Sequence, residues 1–345
     1  MNVQTFRRTL TVLFLLLLGA TARAQTTGQQ RAEAAGRDLV GSLAPRLVVK
    51  TIDGETIDLG SLYGKQAVYL KFWATWCVPC REQMPHFEHT YETAGSDLAV
   101  IAVNVGFNDS IDAVRQYRRQ MGITMPIVFD DGRMGAAFNL RVTPQHIIIG
   151  RNGHIQYVGN LADQRLDAAL LAARAPVSST AMVGGVGAQP PRLDAPQFGL
   201  GDQLPRKSVK TLDGKSFQFQ NHGEPQPTVL VFLSPWCESY LATTRPAISA
   251  RCRAAREQVS TLADHKTVRW LGVASGLWAA PEDLREYQAK YRVRFPLTLD
   301  ESGALFRAFR VTNVPTVLVA DAGGKIVHRM EFDDAQELRQ VLGGL

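Results

Sequence analysis

The chain has 345 residues, of which 45% are hydrophobic and 20% charged, as expected for globular domains. Arg7, Arg8 and Arg23 lie in the first 24 residues, which contain no acid, and the remainder carries 35 basic against 32 acidic residues, a balance of +3. This balance excludes the strongly basic surface of a nucleic-acid-binding protein. Four cysteines are too few for a disulfide scaffold, which suggests that they carry chemistry.

The first 24 residues are predicted to be a secretory signal peptide. Arg7 and Arg8 precede an apolar run from Leu10 to Ala20, and residues 22–24 (ARA) form a small-x-small cleavage site before Gln25. The less favoured alternative is a retained membrane anchor, because the apolar run is shorter than the roughly 20 residues that a spanning helix needs. We therefore expect a protein exported to the periplasm.

The rest of the chain contains one pattern twice. Residues 50–54 (KTIDG) reappear as 210–214 (KTLDG), and Trp76-Cys77 reappears as Trp236-Cys237. Repeats this far apart indicate a duplicated domain and not a short-period solenoid.

The domain boundaries follow from the composition between the copies. Residues 176–197 are rich in Pro, Gly, Ser and Ala and are predicted to be a partly flexible linker. The two domains are then 38–175 and 198–345. Residues 25–37 are expected to form a loose arm or a frayed helix.

Strands and helices alternate within the first copy. Asp53-Gly54 predicts a small hairpin, and the nearly apolar run 98–105 is typical of a central parallel strand. The alternation predicts an α/β fold in which each domain has a mixed central sheet flanked by helices. The predicted elements are strand 67–73, helix 78–93 with an interruption at Pro85, strand 98–105, helix 111–121, strand 126–129, hairpin strands 145–149 and 153–158, and helix 161–173.

Two cysteines stand where a buried strand is followed by a helix. Cys77 lies at the helix start, where unpaired N–H groups and the helix dipole stabilise a thiolate. Cys80 lies one turn on and can resolve a mixed disulfide. A zinc site would need further ligands nearby, and haem attachment needs His where Arg81 stands. An inert disulfide stays as an alternative, but the sequence favours redox exchange without metal or cofactor.

These motifs resemble the thioredoxin superfamily, in particular the exported TlpA- and ResA-like thiol–disulfide oxidoreductases of the redoxin (AhpC/TSA-like) group. The resemblance rests on residues 72–80 (FWATWCVPC), the Asp-Gly hairpin, Pro85 and Pro144, and it covers both copies. It implies that Pro144 is a cis-proline beside the sulfurs and that the backbone of Thr143 binds substrate. It also implies that Trp76 forms an apolar lip, with plain core packing as the alternative.

The chain departs from the family pattern at the proton-transfer group. Lys71 occupies the strand position where relatives often keep a buried acid that serves Cys80. Asp109 follows the next strand where cytochrome-maturation relatives carry Glu. Glu82 and Asp109 are therefore candidates for proton transfer, and the favoured alternative is that both are solvated surface acids.

The second copy keeps Cys237 but has Tyr240 in place of the second cysteine. If one helix covers 238–257, Cys252 is more than about 20 Å from Cys237, whereas a disulfide needs Cα atoms within roughly 7 Å. We therefore expect Cys252 to be an inert thiol. Cys237 is a possible secondary thiol: a peroxidatic or monothiol nucleophile, a partner in an intermolecular disulfide or in exchange with the first domain, or a relic.

The sequence thus predicts a periplasmic enzyme that reduces disulfides in exported proteins through Cys77 and Cys80. A membrane thiol reductant would recharge it, because its compartment is oxidising. Within the enzyme class the alternatives are an oxidase or isomerase and a peroxiredoxin-like peroxidase that uses Cys237. A different alternative is a binding protein whose second domain docks a client.

Overall fold

The computed structural model describes residues 28–176, 196–220, 223, 225–263, 267–331 and 337–344. The predicted signal peptide lies outside these residues, and so does the predicted linker except for its two ends. In the described part of the chain, no helix is both long enough and apolar enough to cross a bilayer.

The first domain is built on a five-stranded mixed sheet. β3 is buried at all seven positions and lies in the middle of the strand order β5-β4-β3-β6-β7. It pairs in parallel with β4 and antiparallel with β6. The elements are β1 (Val48–Lys50), β2 (Thr56–Asp58), α2 (Leu59–Leu62), β3 (Ala67–Trp73), α3 (Val78–Glu82), α4 (Met84–Glu92), β4 (Leu98–Asn104), α5 (Ile111–Met121), β5 (Ile127–Phe129), α6 (Arg133–Ala137), β6 (Gln145–Ile149), β7 (Ile155–Gly159) and α7 (Gln164–Ala173).

Local capping chemistry sets both ends of α5. The Ser110 hydroxyl accepts the Ala113 N–H at the start of α5, and Gly122 ends that helix in the left-handed conformation at φ 65°. The interruption predicted in helix 78–93 is confirmed. It falls at Gln83, so that Pro85 lies in the first turn of α4, where its missing N–H costs nothing.

The second domain repeats the same topology. Its strand order β12-β11-β10-β13-β14 corresponds strand by strand to that of the first domain, which confirms the predicted pair of thioredoxin-like domains. The elements are β8 (Ser208–Lys210), β9 (Ser216–Gln218), β10 (Thr228–Leu233), α8 (Cys237–Thr244), α9 (Pro246–Leu262), β11 (Arg269–Ser275), α10 (Pro281–Tyr291), β12 (Leu297–Asp300), α11 (Ala304–Ala308), β13 (Thr316–Ala320), β14 (Ile326–Met330) and α12 (Glu337–Gly343).

Residues 28–36 form a packed helix, α1, so the expectation of a loose arm is wrong for this segment. Its small apolar side chains Ala32 and Ala35 are buried. Arg31 forms an ion pair of 2.6 Å with Asp283 at the start of α10. Asn139 of the first domain donates to the Ala35 carbonyl at 3.0 Å, so the helix is held by contacts with both domains.

Candidate redox site

The site is a disulfide at the end of the central strand. Cys77 and Cys80 are bonded, with their Cα atoms 5.2 Å apart, as the spacing predicted. Cys77 is the N-cap of α3, and its Sγ accepts the Cys80 N–H at 3.2 Å. A sulfur at this position has an N–H donor ready for the negative charge of a thiolate. The local structure therefore suits Cys77 to be the attacking sulfur after reduction.

The segment predicted to hold substrate lies beside this turn of the chain. The Thr143–Pro144 peptide bond is cis, as the resemblance implied, and Thr143 is fully buried. The Pro144 carbonyl accepts a hydrogen bond of 2.5 Å from the side chain of Asn160. The second domain has a cis bond at the equivalent place, Val314–Pro315. Substrate binding at Thr143 and Pro144 stays a prediction.

Trp76 is 2% exposed and belongs to the buried apolar cluster, which agrees with the predicted core packing and not with an open lip. Its indole N–H donates to the carbonyl of Phe107 at 2.7 Å. Its ring lies 5.1 Å from that of Trp236 and 6.2 Å from that of Tyr240, both in the second domain. Trp76 therefore packs in the contact between domains and is neither an open lip nor part of one domain's core alone.

A buried polar cluster that the sequence did not reveal lies on the strands behind the site. Burial holds the pKa of His146 well below its usual value and so favours the neutral ring. It contacts the Tyr69 hydroxyl through Nδ1 and the Gln83 side chain through Nε2, both at 2.9 Å. Gln83 is the residue between α3 and α4, so this contact ties the helix that carries Cys80 to the sheet. His146 lies opposite Lys71 in the pairing of β3 with β6. The sequence alone does not predict this register, so the cluster could not be anticipated from it.

Lys71 is fully buried, and its Nζ finds no hydrogen-bond partner among the described residues. The nitrogen lies 5.2 Å from the centre of the Phe87 ring. Burial lowers the pKa of Lys71 from 10.5 to about 7. The strand that precedes the Cys77–Cys80 motif thus contains a buried amine whose pKa lies near neutral pH.

The two candidate acids differ from each other. Glu82 is exposed on α3, in agreement with a solvated surface acid. For Asp109 that interpretation is wrong: it accepts hydrogen bonds from the backbone N–H and hydroxyl of Thr75, at 2.8 and 2.6 Å, and from Asn104 at 2.9 Å. Burial raises the pKa of Asp109 above its usual value. This carboxylate fixes the turn that precedes Cys77.

The second domain contains a disulfide that the sequence analysis excluded. Cys237 and Cys252 are bonded, with Cα atoms 6.2 Å apart. The expected single helix does not exist, because α8 ends at Thr244 and α9 begins at Pro246, so the chain folds back and α9 packs on α8. Both expectations, a distant inert Cys252 and a free Cys237, are therefore wrong, and all four cysteines are paired.

The two domains meet through equivalent loops. The Trp278 N–H donates to the carbonyl of Arg141 at 2.8 Å, and the Asn108 N–H donates to the carbonyl of Thr312, also at 2.8 Å. The Val314 N–H donates to the Asn108 side chain at 2.8 Å. The loop that follows β4 in the first domain thus contacts the cis-proline segment of the second domain, and the loop that follows β11 contacts that of the first.

Comparison with known proteins decides the family. The model of the AhpC/TSA family matches residues 40–158 and 200–329. The chain belongs to the AhpC/TSA family. Its two matched regions coincide with the two sheets, so both copies are AhpC/TSA domains.

The similar proteins include a thioredoxin-like protein and a thiol-disulfide oxidoreductase. The chain is 35% identical over 130 residues to the thioredoxin-like protein YneN of Bacillus subtilis, covering 37% of this chain and 76% of YneN. It is 35% identical over 131 residues to the thiol-disulfide oxidoreductase ResA of Halalkalibacterium halodurans, covering 37% and 73%. A thioredoxin family thiol:disulfide interchange protein of Chlorobium tepidum is 25% identical, with 39% and 97% covered and a TM-score of 0.36.

Family and site agree on the chemistry. This AhpC/TSA chain is a thiol–disulfide oxidoreductase with a Cys77–Cys80 disulfide. Within the described ranges, no group of three or more His, Cys, Asp or Glu side chains is arranged to hold a metal ion.

Proposed function

We propose that this protein is a periplasmic oxidoreductase that reduces disulfides in exported proteins through Cys77 and Cys80. The observation that carries the proposal is the position of Cys77 at the start of α3, with the Cys80 N–H directed at its sulfur at 3.2 Å. The predicted signal peptide supports export, and the identity with thiol-disulfide oxidoreductases named ResA supports thiol–disulfide exchange.

The reaction follows from the positions of the two sulfurs. In the reduced enzyme, the Cys77 thiolate attacks one sulfur of the client disulfide and releases the other as a thiolate. Cys80 then attacks Cys77, re-forms the bond now seen, and releases the second client thiol. Two electrons pass to the client in each cycle. A membrane thiol reductant of the cell would have to return them, because the periplasm is kept oxidising.

The deciding measurement is the reduction potential of the Cys77–Cys80 couple in the intact chain. Samples equilibrated in thiol buffers would be alkylated, and the peptides of the two disulfides would be followed separately by mass spectrometry. A value at or below that of thioredoxin, about −270 mV, is expected for a reductant. A value near −120 mV would overturn the proposal and make the protein a disulfide-forming enzyme.

A second candidate function is peroxide reduction at Cys237, favoured by the unexpected bond to Cys252. Cys237 is the first residue of α8, and Cys252 is placed to condense with a sulfenic acid at Cys237, releasing water and forming the observed disulfide. Peroxide consumption with a small dithiol as reductant tests this. Loss of the activity in Cys237→Ser but not in Cys77→Ser would support it, and equal rates in both variants and wild type would rule it out.

A further inference from the structure

The sulfur that must attack a client is closed off from solvent. Cys77 is 1% exposed, yet exchange requires its sulfur to reach a disulfide of another protein. Side chains of the second domain lie next to this residue: Trp236 and Tyr240 both pack against Trp76, the neighbour of Cys77. A client therefore cannot reach Cys77 while the two domains are packed as they are here.

The second domain also contacts the segment predicted to bind the client backbone. The loop at Trp278 gives its main-chain N–H to the Arg141 carbonyl at 2.8 Å and its indole N–H to the Thr143 hydroxyl at 3.3 Å. Trp278 therefore lies against Thr143, one of the two residues predicted to bind the client. Trp278 has φ 57°, a left-handed conformation that is uncommon for a bulky residue. The loop is thus held in an unfavourable backbone geometry where it meets this groove.

Two further contacts reach the turn that carries the cysteines. The Val78 N–H, next to Cys77, donates to the Tyr240 hydroxyl at 3.1 Å. Arg245 donates to the Thr75 hydroxyl at 2.5 Å. Tyr240 stands at the position where the first domain has Cys80. The residue that replaces the second cysteine in the second domain therefore contacts the Cys77–Cys80 motif of the first domain.

We propose that the second domain is a resident pseudo-substrate of the first: it occupies the client groove and must be displaced before Cys77 can exchange. The proposal rests on the proposed function, because it concerns access to the same sulfur. The apparent rate of exchange is then the intrinsic rate multiplied by the fraction of molecules in which the domains have parted. A client or reductant with its own affinity for the groove would shift that fraction in its favour.

The test compares how fast reduced thioredoxin reduces the Cys77–Cys80 disulfide in full-length variants. Samples are quenched with acid, alkylated, and followed by the mass of the peptide that contains both cysteines. Trp278→Ala combined with Tyr240→Ala should raise the rate by about tenfold or more, since it favours the parted state. Trp278→Phe is a milder change that keeps the test usable if the double variant folds poorly. It keeps an aromatic ring, loses the indole N–H, and should give a smaller increase in rate.

Trp270→Phe is the matched control, because Trp270 is a buried Trp of the same domain that packs against Phe295 away from the interface. Its rate should stay within about twofold of wild type. Rates equal to wild type in both Trp278 variants would overturn the proposal. The proposed reductase function is tested by a different measurement, the reduction potential of the Cys77–Cys80 couple. A variant that is reduced faster but has an oxidising potential would contradict the reductase function and still support displacement of the second domain.

Discussion

At the scale of single residues, Lys71 carries a pH-dependent cost. Its pKa is about 7 in the fold against 10.5 when solvated, so between these values the unfolded chain binds a proton that the folded chain does not. The contribution of Lys71 to stability therefore rises with pH from about 7 to 10.5, and the cost is complete below 7.

Lys71→Met should remove this cost. We expect the variant to be more stable than wild type at pH 6 by roughly 3 to 5 kcal/mol, since each pKa unit corresponds to about 1.4 kcal/mol. The gap should close towards pH 10. Urea unfolding of the oxidised protein across this range measures it, with exposed Lys65→Met as control. A gap that is constant with pH would contradict the assigned cause.

The ion pair of Arg256 with Glu238 gives a second residue-scale prediction. The two side chains are 14% and 8% exposed and lie 2.6 Å apart. Arg256→Ala leaves a buried carboxylate without its partner, which should cost about 3–5 kcal/mol. Arg285→Ala breaks an exposed pair with Glu282 and should cost less than about 1 kcal/mol. Equal losses in urea unfolding would show that Glu238 is rehydrated when Arg256 is removed.

The role of a single residue was predictable from the sequence when it depends on residues close by in the chain. Cys77 and Cys80 were predictable because their chemistry needs only a two-residue gap and a helix start. Asp109 and His146 were not, because their partners lie far away in the sequence: Asp109 accepts hydrogen bonds from Thr75, and His146 contacts Tyr69. Burial decides both pKa values, and burial follows from strand pairing.

At the scale of elements, the predicted bounds of α5 agree with the structure at both ends, whereas helix 238–257 was wrong. The difference lies in the stop signals. Ser110 and Gly122 mark the ends of α5 with side-chain and backbone chemistry. Pro246 is ambiguous, because proline disrupts a helix interior but is also favoured in the first turn of a new helix. The reversal of the chain at Arg245, with φ −143° and ψ 65°, has no local sequence motif.

The Cys237–Cys252 bond should stabilise this helix pair. It closes a loop with a sequence separation of 15, for which chain entropy predicts about 3 kcal/mol. Cys237→Ser with Cys252→Ser should therefore lower the melting temperature of the oxidised protein by several degrees. Reducing agent should lower it by more in wild type than in the double variant, which keeps only the Cys77–Cys80 bond. If the variant melts like oxidised wild type, the bond does not contribute to stability.

At the scale of the whole molecule, the repeat in the sequence predicted two domains but not their contact. Equivalent residues of two copies contribute to it, such as Asn108 and Trp278, so the interface has the reciprocal pattern of a two-fold dimer. Pairs such as Asn108 with Thr312 are far apart in sequence, and neither residue type indicates a partner. The composition of residues 176–197 predicted a partly flexible linker and gave no sign of the continuous apolar cluster that runs through both domains.

This cluster predicts that the domains unfold together. Phe107 lies 6.1 Å from Trp236 and 5.9 Å from Phe306, ring centre to ring centre, and each such pair contributes about 0.5–1.5 kcal/mol beyond its buried area. Calorimetry of wild type should show one transition. Phe107→Ala with Trp236→Ala should give two, because each domain keeps its own sheet and loses most of the shared contact. Phe295→Leu, which alters the second domain away from the interface, should lower the temperature of a single transition. Two transitions in wild type would mean that the domain contact contributes too little to couple them, which would also weaken the case that it limits access to Cys77.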